Sequence, residues 1–166
     1  MSGPFIQRTV VIGNSGSGKS TLAASLAALG NVSAIDLDLL HWDGDGYGMK
    51  REEAVAREMV REAAAAPGWA IEGVYGWLAE IALPRATALI WLDLPWALCR
   101  DSLLARGRRR GGTEADFAKL MAWAKPIGRA RRRARSPAIC VSSRGSPVPS
   151  ADCVIGWRCN SFSSRF

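Results

Sequence analysis

The segment Gly13–Ser20, with the sequence Gly-Asn-Ser-Gly-Ser-Gly-Lys-Ser, constrains the fold more than any other part of the chain. It has the glycine, lysine and serine spacing of a phosphate-binding loop. It follows the β-branched run Thr9–Ile12 and opens the leucine-bearing stretch Lys19–Leu29. The glycines let backbone N–H groups turn inward around phosphate oxygens, and the N-terminus of a helix adds partial positive charge. The sequence therefore predicts a strand, a phosphate-binding loop and a helix in succession.

The segment Gly13–Ser20 is called the phosphate loop below, and two of its residues carry specific chemistry. Lys19 is expected to reach the β- and γ-phosphates of a nucleoside triphosphate, and the Ser20 hydroxyl is expected to bind Mg²⁺. ATP and Mg²⁺ are thus the predicted cofactors, and a glycine-rich turn with an incidental lysine is the alternative interpretation. The residues expected to contact the nucleotide are Gly13, Asn14, Ser15, Gly16, Ser17, Gly18, Lys19, Ser20 and Thr21.

Short apolar runs alternate with helical stretches along residues 1–135. Helices are expected at Arg51–Ala66 and from Pro95 onward, and the predicted strands are Thr9–Ile12, Ser33–Asp38, Trp69–Gly73 and Ala88–Asp93. Because the strands are apolar throughout and are connected by helices, they indicate a parallel sheet covered on both faces. We therefore expect residues 1–135 to form a three-layer α/β domain with a parallel sheet of about five strands.

Four carboxylates end the predicted strands, at the edge of the sheet where ligands bind in folds of this class. Asp36 and Asp38 end the second strand, Glu72 the third and Asp93 the fourth. On a strand, Asp36 and Asp38 would share one face, and Asp38 lies nearer the carboxyl end. Asp38 and Glu72 are therefore the predicted catalytic carboxylates and, with Ser20, the predicted metal ligands. Asp93 is better explained as the N-cap of the next helix.

These residues fall within four motifs that occur in order along the chain. The motifs are Ile-Gly-Asn-Ser-Gly-Ser-Gly-Lys-Ser-Thr from Ile12, Asp36-x-Asp38-x-x-His41-Trp42, Trp69-x-Ile71-Glu72-Gly73-x-Tyr75 and Leu92-Asp93-Leu94-Pro95. Together they resemble the adenylate-kinase-related "DNA topology modulation" proteins, which are small P-loop proteins related to nucleotide and shikimate kinases. The resemblance covers about residues 6–130. The chain departs from the family pattern at Val74, where a polar residue is usual, and at Glu72, which is often Asp.

The resemblance implies a five-stranded parallel sheet, a mobile lid, and an acceptor site between the second and third strands. By position, it implies that Lys19 and Ser20 bind the phosphates and Mg²⁺. It also implies that Asp38 and Glu72 lie beside the transferred phosphoryl group. Trp42 and Tyr75, with the neighbouring His41, are the predicted acceptor-binding residues, whereas packing in the core or at its rim is the alternative for both aromatic residues.

The net charge of +7 is concentrated in residues 100–135, which hold twelve lysines and arginines against three acidic residues. Such a segment indicates polyphosphate, nucleic acid or another acidic partner, or else a solvated basic helix. Arginines that close over a transferred phosphoryl group stabilise its charge and exclude water. Arg106 is the predicted catalytic arginine, and the predicted lid arginines are Arg100, Arg108, Arg109 and Arg110.

The same segment also contains apolar residues at helical spacing, which are expected to face the core: Phe117, Leu120, Met121 and Ala124.

The leading functional prediction is an ATP-dependent kinase of a small acceptor, most plausibly a nucleoside or nucleotide. The alternative is an NTP-binding regulator that docks on DNA through its basic segment. A chain of 166 residues leaves no room for the sensor regions of a motor ATPase.

The N-terminal residues show no secretion signal, no apolar stretch is long enough to span a membrane, and the four cysteines form no paired motif. The sequence is therefore interpreted as cytoplasmic.

Residues 136–166 differ in composition from the rest of the chain. They contain no Leu, Glu or Lys, yet they hold eight of the fifteen serines and three of the four cysteines. Ala138–Val141 is a candidate strand. We expect these residues to form an atypical, poorly ordered tail, produced by a shift of reading frame near residues 130–136. A genuine Ser/Pro-rich extension is the alternative.

Overall fold

Strands and helices alternate along the chain in the computed structural model, which describes residues 7–44, 49–108, 112–129 and 138–143. The strands are β1 (Arg8–Gly13), β2 (Ser33–Asp36), β3 (Trp42–Asp43), β4 (Met49–Lys50), β5 (Trp69–Gly73), β6 (Ala88–Asp93) and β7 (Ala138–Ser143). The helices are α1 (Lys19–Gly30), α2 (Leu37–His41), α3 (Glu53–Ala65), α4 (Gly76–Ala82), α5 (Trp96–Arg106) and α6 (Glu114–Arg129), with a 3₁₀ turn at Leu83–Arg85. This confirms the predicted α/β class.

The main sheet has the strand order β2-β5-β1-β6-β7, and its first four strands are parallel. Asp36 lies beside Glu72, and Gly13 lies beside Leu92, at the carboxyl ends of these strands. In parallel strands all carboxyl ends meet at one edge of the sheet, which is where open α/β sheets bind ligands. The register therefore brings the phosphate loop and two of the strand-end carboxylates, Asp36 and Glu72, to the same edge.

The fifth strand departs from the expected parallel sheet. β7 pairs with β6 in the antiparallel sense, with Ala138 opposite Asp93 and Ser143 opposite Ala88. Two helices, α5 and α6, separate these strands, so the chain comes back to the carboxyl edge before it enters β7. The expectation of about five parallel strands is wrong to this extent: four strands are parallel and the edge strand is antiparallel.

Helices cover both faces of the sheet and bury two apolar clusters against it. The cluster under α1 consists of Val11, Ala23, Ala27, Ala70, Ile90 and Leu92. The cluster under α2, α3 and α4 includes Val10, Leu37, Val60, Trp69, Ile71 and Leu78. Each fully buried aliphatic side chain contributes about 1.5–3 kcal/mol relative to exposure, so the two clusters hold the sheet edge in a fixed geometry.

Alanines make up most of the buried faces of α1 and α3, with Val60 of α3 as a larger apolar residue among them. In α1, Ala23 and Ala27 are buried, while Leu29 is 70% exposed. In α3, Ala56 is buried, while Val55 is 43% exposed. Alanine lets a helix approach the sheet closely, and larger residues then lie at the margins of the contact. None of the helices in the described part of the chain is long and apolar enough to cross a bilayer.

Candidate active site

The phosphate loop runs from the end of β1 to the first turn of α1. Gly16 and Gly18 have positive φ angles of 81° and 87°, which side-chain-bearing residues rarely adopt. A Cβ atom on Gly16 would collide with the carbonyl oxygen of Cys99 in α5, so the loop is packed closely on that helix. Gly18 is the N-cap of α1, and no side chain caps this end of the helix. The backbone N–H groups of the first turn are thus available to an anion.

Lys19 is the buried cation of the loop, with 8% of its surface exposed. Its Nζ atom donates to the carbonyl oxygen of Asn14 at 3.2 Å. Burial lowers the pKa of the Lys19 amine, and the nearby carboxylates of Glu72, Asp38 and Asp36 act against that shift. The sequence-predicted phosphate-binding lysine therefore lies inside the site, close to three acidic side chains.

Glu72 is the buried anion that faces this lysine. It lies near the end of β5 and is 4% exposed, and the Lys19 amine and the Ser20 hydroxyl are both close enough to stabilise its charge. Burial raises the pKa of the Glu72 carboxyl, while Lys19 and Ser20 lower it by a smaller amount. A carboxylate in so apolar a strand needs such partners. The structure thus brings together Lys19, Ser20 and Glu72 as the sequence predicts.

Asp38 is placed differently from the prediction. β2 ends at Asp36, whose carboxylate accepts from the backbone N–H of Asp38 at 2.8 Å and caps the short helix α2. Asp38 therefore lies in the first turn of a helix, and the expectation that both residues share a strand face is wrong. An aspartate whose side chain accepts from the backbone N–H two residues later ends a strand and caps the helix that follows. This local hydrogen bond decides the structure after Asp36, and the spacing of apolar residues does not show it. Both carboxylates still line the cavity described next.

A cavity of about 390 Å³ extends from the phosphate loop along the carboxyl edge of the sheet. Ser15, Lys19, Ser20 and Glu72 line one part of it. Its other walls include Asp36, Asp38, His41, Trp42, Lys50, Tyr75, Arg106, Arg108, Asp116, Phe117, Lys119, Leu120 and Trp123. The cavity is large enough for a small-molecule ligand and carries both acidic and basic side chains.

The three predicted acceptor residues form an aromatic group at the cavity wall. Trp42 Nε1 donates to Tyr75 Oη at 2.9 Å, and the His41 and Tyr75 rings lie 4.2 Å apart between centroids. His41 is 8% exposed, and its Nδ1 atom has no hydrogen-bond partner among the described residues. Burial, with a smaller effect from Lys50, lowers the pKa of His41, so the ring is neutral at pH 7. The group presents a mostly apolar surface with a neutral imidazole.

α6 forms the wall opposite the sheet. Phe117 and Leu120, which helical spacing assigns to the core, line the cavity instead, and Trp123 lines it while 46% exposed. Ala124 is fully buried, and its carbonyl oxygen accepts a hydrogen bond from the Asn14 side chain at 2.9 Å. The side of α6 that carries Phe117, Leu120 and Trp123 thus faces the cavity.

The predicted arginines fall into three groups. Arg106 and Arg108 line the cavity, and Arg106 also lowers the pKa of Lys19. Arg100 is not part of the cavity wall and forms an ion pair with Asp101 at 2.7 Å. Arg109 and Arg110 lie outside the described residues.

The residues around Ser20 fit a hard divalent cation that arrives with a nucleotide. The available donors are hydroxyl and carboxylate oxygens, which Mg²⁺ prefers. Within the described part of the chain, no group of three acidic, histidine or cysteine residues could hold a metal ion unaided. Mg²⁺ in such a site therefore needs phosphate oxygens and water to complete its coordination, with Ser20, Asp38 and Glu72 as the candidate protein ligands or water-binding groups.

Several charged cavity residues have no counterpart among the sequence-predicted site residues. Lys50 in β4 and Asp116 in α6 line the cavity, and Asp36 also lies on its wall. Asp36 was visible as a strand-end carboxylate, and its position in the second motif is the signal that points to it. Lys50 and Asp116 reach the site because of where β4 and α6 lie in the fold, and the residue spacing within an element does not predict that placement.

Comparison with known proteins gives a distant likeness to solved structures. Fifteen chains of solved structures match, among them a gluconokinase from Sinorhizobium meliloti 1021. That match has a TM-score of 0.48 and 19% sequence identity, and it covers 72% of this chain and 75% of that chain. Neither the family models nor the curated proteins give a match. The resemblance to the "DNA topology modulation" proteins therefore stays a prediction, and no substrate is transferred from the gluconokinase to this chain.

Proposed function

We propose that this protein is an ATP-dependent phosphotransferase that acts on a small acceptor molecule. The observation that carries the proposal is the meeting of the phosphate loop with Glu72 at the head of a cavity that continues beyond the loop. A loop alone would support only nucleotide binding. A cavity that continues past the loop toward His41, Trp42 and Tyr75 supports transfer to a second molecule.

Each charged group at the head of the cavity has a role in such a transfer. The Lys19 amine exchanges the Asn14 carbonyl for β- and γ-phosphate oxygens and neutralises the charge that spreads over them. Arg106 adds a second cation on the cavity wall. Mg²⁺ bound with the nucleotide would supply further charge neutralisation, with the Ser20 hydroxyl as a candidate protein ligand.

The carboxylates orient the acceptor and the water around the metal ion. Asp38 lines the cavity, and in this proposal it accepts the proton of an acceptor hydroxyl, whereas a phosphate acceptor would need no base. Glu72 lies beside Lys19 and Ser20 in the cavity, where its carboxylate would orient the water around the metal ion. The enzyme would then act mainly by holding the acceptor in line with the γ-phosphate.

The aromatic group favours an acceptor with a flat or apolar part, such as a nucleoside or a nucleotide. Trp42 and Tyr75 are held to each other by a hydrogen bond, so their rings form a preorganised surface. A rigid aromatic surface binds a ring at small entropic cost.

No specific observation favours the alternative of a regulator that docks on DNA. Among the described basic residues of the segment 100–135, Arg106, Arg108 and Lys119 line the cavity. Arg100, Arg108 and Lys119 also lie next to acidic side chains at 2.7, 3.8 and 3.6 Å. These cations are therefore accounted for by the cavity and by local ion pairs.

A coupled assay of ADP release tests the proposal directly. The purified protein is mixed with Mg·ATP and a panel of nucleosides, nucleotides and small hydroxy acids, with Lys19→Met as the inactive control. Acceptor-dependent ADP release that disappears in the control is the expected result. Binding of Mg·ATP without release over the whole panel, together with salt-sensitive binding to duplex DNA, would instead support the regulator.

A further inference from the structure

Asn14 joins two parts of the molecule that lie 110 residues apart in the sequence. Its Nδ2 atom donates to the carbonyl oxygen of Ala124 in α6 at 2.9 Å, and this hydrogen bond is buried. Its Oδ1 atom accepts from the backbone N–H of Ser15 at 2.8 Å, so both ends of the amide are bound. Asn14 is 8% exposed and Ala124 is fully buried, so α6 lies directly on the phosphate loop at this point.

The backbone of Asn14 is tied to the catalytic lysine. Its carbonyl oxygen accepts from Lys19 Nζ at 3.2 Å and from the backbone N–H of Ser17 at 3.2 Å. Phosphate oxygens attract an ammonium group more strongly than a neutral carbonyl does. Nucleotide binding is therefore expected to draw Lys19 away from Asn14 and to change the hydrogen bonding of this residue.

A change at Asn14 can reach α6 through the Asn14 side chain, which donates to the Ala124 carbonyl oxygen. Phe117, Leu120 and Trp123 line the cavity from the same helix that accepts the hydrogen bond. Because a helix moves as a rigid element, a shift of Ala124 relative to the loop moves all three side chains.

We propose that Asn14 is a positioning residue that holds α6 over the cavity and couples the position of that helix to nucleotide binding by the phosphate loop. The inference rests on the proposed function, since it takes the loop to bind a nucleotide. Docking of α6 and nucleotide binding then favour each other, and by linkage the two effects are equal in size. An asparagine that only shaped the loop would need no hydrogen bond to α6.

The test uses substitutions that separate the loop from the helix. Asn14→Ser keeps an oxygen near the Ser15 N–H, is too short to reach Ala124, and adds no charge beside the phosphates. Ala124→Leu enlarges a fully buried residue and displaces α6 while Asn14 stays intact. Asn31→Ser is the matched control, because it makes the same asparagine-to-serine substitution at the exposed C-cap of α1, away from α6.

Backbone hydrogen exchange measured by mass spectrometry, with and without Mg·ADP, reads out both halves of the proposal. Without nucleotide, Asn14→Ser is expected to speed exchange in α6 by about five-fold, the effect of one lost hydrogen bond, with unchanged exchange in β1 and β5. Ala124→Leu is expected to act in the same direction, and Asn31→Ser is expected to leave α6 as it is. With Mg·ADP, the unaltered protein gains protection in the loop and α6, and Asn14→Ser gains it in the loop alone.

Unchanged exchange of α6 in ligand-free Asn14→Ser would overturn the positioning role, as would a uniform rise in every peptide. Protection of α6 by Mg·ADP in Asn14→Ser would overturn the link to occupancy. If Mg·ADP protects nothing in the unaltered protein, the proposed function and the link both fail. The ligand-free comparison then still decides whether Asn14 positions α6.

Discussion

At the scale of single residues, the site holds two opposite charges that burial disfavours. Burial lowers the pKa of Lys19 and raises the pKa of Glu72, and their mutual attraction offsets only part of each shift. Groups whose pKa is displaced by burial in a cavity are typical of functional sites. In a site that served only stability, apolar residues of similar volume would be at least as favourable.

Glu72→Gln is expected to raise the free energy of unfolding at pH 7 while it cuts turnover by about ten-fold or more. Between the ordinary pKa of 4.5 and the raised value, the folded protein holds a proton that the unfolded chain has lost. Stability therefore falls as the pH rises through that window. Glutamine does not titrate, so the variant and the parent should converge in melting temperature near pH 4 and diverge toward pH 7. If Glu72→Gln were less stable than the parent at pH 7, the Glu72 carboxylate and its partners would be stabilising the folded protein.

Lys19→Met is expected to abolish the thermal shift caused by Mg·ATP without lowering the melting temperature of the free protein. The folded pKa of Lys19 lies below 10.5, so its charge costs stability below that pH, and methionine keeps the volume of the side chain. Lys19→Arg should also lose the shift, because a planar guanidinium does not replace a point charge in a tight loop. Lys125→Met, at an exposed position of α6, is the control. An equal shift in Lys19→Met and the parent would remove the nucleotide-site assignment.

The sequence could predict those residues whose chemistry follows from local spacing. Lys19 and Ser20 follow from the loop motif, and Glu72 follows from a carboxylate in an apolar strand. The contact of Asn14 with α6 could not be predicted, because it depends on how a helix 110 residues away crosses the loop. The same holds for Lys50, which enters the cavity through the path of β4.

At the scale of elements, strand bounds were easier to predict than helix faces. β5 and β6 have the predicted limits, since each is an apolar run bounded by turn residues. The second strand was predicted too long, because the Asp36 side chain replaces the strand by a helix at Leu37. Local side-chain hydrogen bonds of this kind are hard to see in a pattern of apolar residues.

Asp36→Ala is expected to destabilise the protein by about 1 kcal/mol relative to Asp36→Asn, because asparagine keeps an oxygen for the N-cap of α2. α2 also carries Asp38 and His41, so the alanine variant should show the larger rise in KM for the acceptor. Urea unfolding and steady-state kinetics of the two variants give the comparison. Equal stabilities would mean that the cap does not hold α2 in place.

Gly16→Ala is expected to destabilise the protein more than Gly18→Ala, although both residues have positive φ. Each alanine costs about 1–2 kcal/mol for the left-handed backbone. On Gly16 the added methyl also meets the Cys99 carbonyl in α5, whereas on Gly18 it meets nothing within 4 Å. The difference between the two melting temperatures measures how tightly the phosphate loop packs on α5. A larger loss in Gly18→Ala would contradict that packing.

At the scale of the whole molecule, the alternation of strands and helices predicts the parallel strands of the sheet. It does not predict that β7 runs antiparallel to them. That direction depends on two helices, rather than one, preceding the strand. β7 pairs along the full length of β6, so residues 138–143 of the compositionally atypical region form an edge of the sheet. Residues 144–166 lie outside the described part of the chain.

The last prediction concerns the coding sequence of residues 136–166. A sheet of this class needs helices over both faces of its edge strand, and a covering helix normally carries leucine and charged residues at helical spacing. Residues 136–166 contain no Leu, Glu or Lys, whereas residues 1–135 contain fifteen leucines. We therefore expect one alternative reading frame downstream of residue 130 to encode a leucine-bearing strand followed by an amphipathic helix. A protein made in that frame should melt at a higher temperature and show a larger Mg·ATP-dependent shift than this chain, because an amphipathic helix with leucines buries apolar surface against a face of the edge strand. Translation of the coding DNA in all three frames gives the first answer, and the absence of such a strand and helix from both alternative frames would refute the prediction.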